Sequence, residues 1–359
     1  MGNSGLSTAR KAKKDEFYTQ LPEIEQEMNA YLDYDKDVFR DKTILMPCDD
    51  PTWSNFPQYF AKRFKNLGIK KLIATSCAPA SNGGEEFYSP SPELVQREDY
   101  DREKDLTRGK VFMLEDKDLN GDGIINKEDF TWDYLEGDGD FRSEEVTALR
   151  DEADIVITNP PFSLFREFMS WVMDGDMQFL LIGNMNAVTY KDISPLVKDN
   201  KLWYGPSISS GDREFRVPKT YPLSAATCRE DTQGNRYIRV KGVRWFTNIE
   251  HGRRHEPLQL LNMEDNKRFN KKVSKNPNSY KKYINADAIE VPATSAIPSD
   301  YDGVMGVPIS FLDKYCPEQF DIVGFKHGDD GKNLQFIDEN GNPKTPYVRF
   351  LIRHKKPAN

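Results

Sequence analysis

The chain has 359 residues, 37% of them hydrophobic, and a formal net charge of −8, which is enough for a sizeable globular core in one large domain or two ordinary ones. No apolar run approaches eighteen residues and the leading MGNSGLSTARKAKKDEF has no apolar stretch, so neither a membrane span nor a secretory leader is expected and a cytoplasmic protein is. Cys48, Cys77, Cys228 and Cys316 stand apart without a CxxC pair, so neither a disulfide framework nor a zinc site is expected.

In KKDEFYTQLPEIEQEMNAYL, Ile24, Met28, Tyr31 and Leu32 recur at helical spacing with acids on the other faces, predicting an amphipathic helix. KTILMPCDDP reads as a short buried strand ended by acids and a proline, NFPQYFAKRFKNLG as a helix closed by Gly68, and KKLIATSC as a second strand. Strand, helix and strand in so few residues make a βαβ unit, hence a parallel sheet. Residues 78–136 are polar and charged, with one apolar island at Val111 to Leu114, and read as an insertion. The rhythm resumes with the strand DIVIT, the helix SLFREFMSWVMDGD and the strand MQFLLIGNMN. The expected fold is α/β, a doubly wound, mostly parallel Rossmann-like sheet over residues 1–200. Beyond it, KLWYG, EFRV, YIRV and GVRWFTNI predict a strand-rich, less regular, partly basic region over 201–359.

The strand DIVIT runs into Asn159, Pro160, Pro161 and Phe162. Ligands of a parallel sheet bind at the carboxyl ends of its strands, where these residues fall. The prolines fix φ and remove two donors, so the Asn159 side-chain oxygen and the Pro160 carbonyl form a rigid acceptor pair, suited to a planar amino group. Phe162 adds a face on which a heterocycle stacks. A lone Pro-Pro equally serves as a stiffened turn; the order strand, Asn, Pro, Pro, aromatic, helix favours the functional reading.

At this point the chain resembles the S-adenosylmethionine-dependent amino-methyltransferases, whose matching motif reads (Asp/Asn/Ser)-Pro-Pro-(Tyr/Phe/Trp); with Asn first it is similar to those that methylate adenine. KKDEFYTQ, LMPCDDPTWSNF, GDGDFRSEE, RWFTNIEHG and MGVPISFLDKYCPEQFDIVG extend the resemblance to the EcoRI-type adenine-specific DNA methyltransferases over nearly the whole chain. The resemblance implies a site-specific DNA adenine methyltransferase with S-adenosylmethionine as cofactor and double-stranded DNA as partner. It implies catalytic Asn159, Pro160, Pro161 and Phe162, and Phe17 and Thr19 at the cofactor's methionine end. Asp49 and Asp50 are candidates for its amino or ribose groups, and Asp140 and Phe141 match the motif that holds its adenine. Two departures stand out: CDDP replaces the usual glycine-rich loop, and IATSC ends in Thr75 and Ser76 where an acid is usual. A restriction endonuclease partner is left open.

Two further stretches call for a reading. From His251 to Tyr283 the chain has nine Lys or Arg against three acids; Arg253, Arg254, Lys271 and Lys272 are the candidate DNA contacts, with a solvated surface loop as the alternative. DLNGDGIINKED fits a calcium loop, with Asp118, Asn120 and Asp122 at positions one, three and five, Gly123 at six, Ile124 at seven and Asp129 at twelve. Its alternative is an Asp/Asn/Gly-rich surface turn. Two other functions stay open at this level: a methyltransferase acting on RNA or a protein amide, and a calcium-stabilised binding module with a degenerate cofactor site.

Overall fold

The computed structural model describes residues 19–82, 90, 95–96, 100–209, 211–217, 228–275 and 279–358. The chain divides into two compact units, residues 1–187 with 207–249, and residues 188–206 with 250–359.

The first unit opens with α1 (Leu21–Tyr34), which buries Ile24, Met28 and Tyr31 on one face. Strand β1 (Thr43–Met46) leads to α2 (Asn55–Lys62) and the short α3 (Phe64–Leu67). Gly68 closes α3 at φ 64°, in the left-handed region that glycine adopts without a side-chain clash. After β2 (Lys71–Ser76) come α4 (Arg102–Thr107), β3 (Lys110–Leu114), β4 (Thr131–Tyr134), α5 (Glu144–Glu152), β5 (Ile155–Thr158), α6 (Phe165–Asp174) and β6 (Gln178–Asn184). Every residue of β1 and β5 is buried, as continuous apolar strands of a sheet covered on both faces must be.

Further on lie β7 (Asp212–Val217), β8 (Cys228–Glu230), β9 (Arg236–Lys241) and β10 (Val243–Thr247). The seven central strands of this unit run in the order β4-β3-β2-β1-β5-β6-β10. β2, β1, β5 and β6 are mutually parallel, and β3, β4 and β10 add on antiparallel. This is the expected Rossmann-like α/β arrangement, with β5 beside the central strand β1. The polar stretch after β2 is part of it: its apolar island is β3, hydrogen-bonded along β2.

The GDGDF loop is fixed beside the carboxyl end of β2. Ala78 N donates to Asp138 O at 2.7 Å, and Gly109 N to Gly137 O at 2.9 Å. Gly139, at φ 79°, lies so close that a Cβ there would meet Ser76 O at 2.5 Å. Strands β7, β9 and β8 make a separate three-stranded antiparallel sheet whose Phe215, Val217, Ile238 and Val240 join the main core.

The second unit holds a four-stranded sheet of β11 (Ala288–Glu290), β12 (Val304–Pro308), β13 (Phe320–Phe325) and β14 (Arg349–His354) in the order β11-β12-β14-β13. Among the described residues, no helix is long and apolar enough to cross a membrane.

Candidate active site

The turn after β5 is anchored by one carboxylate. Thr158, the last residue of β5, places its hydroxyl 2.5 Å from Asp49 Oδ2 and 2.6 Å from Pro47 O. Asp49 Oδ1 accepts from Ser54 Oγ at 2.6 Å, and Asp49 N donates to Thr75 O at 2.8 Å. Ser54 in turn caps α2 by accepting from Phe56 N. Asp49 thereby joins the ends of β1, β2 and β5 to the start of α2. Its neighbour Asp50 is also buried; Oδ1 accepts from Thr52 N and Thr52 Oγ1 at 2.8 and 2.6 Å, while Oδ2 accepts no hydrogen bond among the described residues. Burial raises the Asp50 carboxyl above the usual carboxylate range. Cys48 precedes this pair at φ 69°, a conformation that costs a non-glycine residue roughly 1–3 kcal/mol.

Asn159 is half-buried, with Nδ2 3.4 Å from Thr19 Oγ1. Thr19, 4% exposed, accepts from Asn55 Nδ2 through its carbonyl at 2.7 Å. With Nδ2 turned to Thr19, Oδ1 is the acceptor end of the amide. Pro160 is buried and its carbonyl accepts no hydrogen bond among the described residues, whereas the Pro161 carbonyl is taken by Leu164 N at 2.9 Å. Phe162 is half-buried against the main core. Phe17 lies outside the described residues.

On the other side of β1, Asp140 follows the Gly139 contact with β2. Its carboxylate binds Arg142 through Nε and Nη2 at 2.9 and 2.5 Å. Phe141 is buried, its ring centre 4.9 Å from that of Phe168 and 5.6 Å from that of Trp171. At the end of β2, Thr75 Oγ1 and Ser76 Oγ are buried without a hydrogen-bond partner among the described residues. Such hydroxyls are costly to leave unmatched, and they sit where ligands of a parallel sheet bind. They fit a cofactor that carries a ribose.

Sequence reasoning missed one buried pair altogether: Lys110 Nζ lies 2.7 Å from Asp105 Oδ1, with the two side chains 2% and 1% exposed. Both act electrostatically on Asp50. DREKDLTRGK carries charges of both signs at close spacing, and nothing in it marks which two are inside.

The family model of the EcoRI adenine-specific methyltransferase matches residues 5–355. The chain belongs to this family. It is 42% identical to the Type II methyltransferase M.EcoRI of Escherichia coli, over 99% of this chain and 97% of the relative. It is 33% identical to M.MpnI of Mycoplasma pneumoniae, over 98% of each chain, and 33% identical to M.MgeORF184P of Mycoplasma genitalium, over 98% and 99%. No solved structure matches it. The protein is accordingly an S-adenosylmethionine-dependent, adenine-specific DNA methyltransferase.

The methyltransferase's four basic candidates lie in the second unit. Arg254 is 4% exposed, with its guanidinium 3.7 Å from the Trp203 ring centre and 3.1 Å from Glu250. Arg253 donates to the Pro206 carbonyl. Lys271 and Lys272 are exposed. In the first unit, the Asp118–Asp129 loop turns its carboxylates onto its own backbone. Asp118 accepts from Gly121 N and Gly123 N at 2.6 and 2.8 Å, and Asp129 from Leu119 N and Asn126 N at 2.8 and 2.9 Å. Asn120 and Asp122 accept from Asp122 N and Ile124 N. Among the described residues, no three His, Cys, Asp or Glu side chains converge as metal ligands.

Proposed function

We propose that the methyltransferase modifies the 6-amino group of an adenine turned out of double-stranded DNA, with Asn159 and Pro160 as the groups that receive that amino group. The observation that carries this reading is the buried Pro160, whose carbonyl is left open beside the Asn159 amide. S-adenosylmethionine, when bound, supplies a methyl group already activated by its sulfonium. Asn159 Oδ1 and the Pro160 carbonyl accept the two amino hydrogens, return electron density from the ring to the nitrogen, and favour its pyramidal transition state. Pro161 stiffens the turn, Phe162 stacks on the base, and the released proton passes to water. Turning the base out costs a few kcal/mol, which stacking in the site offsets in part.

Thr19 and Phe17 would hold the cofactor's methionine end, Asp50 its amino or ribose groups, and Asp140 with Phe141 its adenine, while Asp49 keeps the surrounding strand ends in register. Asp140→Ala is expected to weaken S-adenosylmethionine binding by roughly 1.5–3 kcal/mol, the range for a hydrogen bond to a charged group, with turnover at saturating cofactor much less changed. Calorimetric titration measures it, and wild-type affinity would remove Asp140 from the site. Lys271 and Lys272 are proposed phosphate contacts of a DNA-recognising region over 201–359.

The deciding experiment is sequencing of genomic DNA from cells that express the protein, read for methylated adenine and its context. Methyl groups on RNA or protein without a methylated DNA site would overturn the assignment. The Type II names of the relatives support a restriction endonuclease as a partner, and the proposed place of action of the methyltransferase is the cytoplasm.

A structural calcium ion in the Asp118–Asp129 loop is a second and separable proposal, supported by oxygen-bearing side chains at positions one, three, five and twelve. Calcium is then expected to raise the melting temperature by a few degrees. Asp122→Ala should abolish the rise, and a melting curve indifferent to calcium and chelator would refute the ion.

A further inference from the structure

The three-stranded sheet β7-β9-β8 shows a clean division of faces. Phe215, Val217, Ile238 and Val240 are buried in the core, while Arg216, Arg229, Arg239 and Lys241 are exposed. Its three strands contain six Arg or Lys and three acids, in a chain whose net charge is −8. Three of the cations are matched: Arg213 lies 3.6 Å from Glu23, Arg229 2.5 Å from Glu214 and Arg236 3.1 Å from Glu230. Arg216, Arg239 and Lys241 form no ion pair among the described residues.

The register sets these groups in order. Tyr237 stands opposite Arg216 on one side and Arg229 on the other. Arg229, held by both oxygens of Glu214, lies over the Tyr237 ring at 4.2 Å. The aromatic is thus held by Arg229 on its ring and by its hydroxyl, which donates to Asp231 Oδ2 at 3.3 Å. The next row sets Arg239 opposite Glu214, and the one after sets Lys241 opposite Asp212.

Arg216 on this face also lines a cavity shared with the start of α1 and α2. Arg216, Val217 and Asn235 form one wall of this cavity of about 560 Å³, and Gln20, Trp53 and Asn55 line it too. Asn55 is bonded to Thr19, and Thr19 faces Asn159. Two residues therefore separate the sheet's cavity from the group that receives the target amino nitrogen.

We infer that the outer face of this sheet is a DNA-binding ribbon, in which Arg216, Arg239 and Lys241 contact backbone phosphates flanking the target adenine and Tyr237 packs on the nucleotide beside it. Antiparallel strands fit the width of a DNA groove, guanidinium and ammonium groups without a carboxylate partner match phosphate even where Arg216 also donates to Asn235 Oδ1 at 2.7 Å, and a propped aromatic provides a stacking platform. The sequence assigned DNA recognition to residues 201–359 and named Arg253, Arg254, Lys271 and Lys272 as the first candidate contacts. The ribbon adds a second set, on the unit that carries Asn159, and so keeps the target base near the turn. The inference rests on the DNA methyltransferase reading.

The test uses the full chain with Arg216→Gln, Arg239→Gln and Lys241→Gln, singly and combined, and a duplex that the wild type methylates. Each change is expected to weaken duplex binding about three- to tenfold and to lower the slope of log affinity against log salt by about one unit. S-adenosylhomocysteine affinity and melting temperature should stay at wild-type values. A wild-type salt slope in the triple variant would overturn the ribbon. So would a parallel loss of S-adenosylhomocysteine affinity, which would mark the residues as structural. Methylation of the same duplex by the wild type checks the underlying reading separately.

Discussion

Asn159→Ala is expected to lower kcat by about 10²–10³, the loss seen when one preorganised polar group is removed from a reacting centre, while S-adenosylmethionine binds nearly as before. In the proposed site the amide oxygen is one of two acceptors for the target amino group, and the other, the Pro160 carbonyl, is backbone and survives the change. Asn159→Asp keeps an oxygen at the same place and should retain part of the activity. Single-turnover methylation of a duplex, beside calorimetric titration with the cofactor, separates the two effects. Loss of cofactor binding together with turnover would show that the residue holds up the turn and takes no part in the chemistry.

The second large effect is on stability. Lys110→Met leaves Asp105 buried with its closest cationic partner gone, since the pair is 2% and 1% exposed and 2.7 Å apart. Breaking a buried pair from one side costs about 3–5 kcal/mol, whereas replacing both partners with apolar groups is often close to neutral. Asp105→Leu combined with Lys110→Met should therefore recover much of the loss. Denaturant unfolding of the two single variants and the double variant measures this. Additive losses in the double variant would mean that the two side chains act independently.

The strands that could be read most directly from sequence share one property: their burial is continuous. TILM and IVIT are buried at every position, and such runs have few alternatives in a globular chain. Gly68 and the Asn-Pro-Pro-Phe turn were legible because each residue has a narrow conformational or chemical use. The stretch 78–136 was harder, because β3 alternates buried and half-buried positions and begins on a buried lysine. A charged residue inside is recognised only from its partner, and Asp105 is brought there by a helix that the sequence reading did not identify. Arg254 fails in the same way: the basic count around it is high, but Trp203 and Glu250 enclose it. In the ribbon, alternation marks a two-faced strand, yet the row Arg216, Tyr237, Arg229 exists only once three strands are in register.

The carboxylate of Asp49 ties the strand end that precedes Asp50 to the strand end that precedes Asn159, through Thr158 on one oxygen and Ser54 on the other. The proposed cofactor side and acceptor side are consequently tied together through one carboxylate. A displacement reaction along a single line tolerates little lateral error, and here that error is set when the chain folds, before any encounter with substrate. The adjustable partner is the nucleic acid. The slow events of the cycle should then be the arrival and departure of the base, and substitutions that loosen the Asp49 knot should harm the methyl-transfer step before they change how tightly DNA is held.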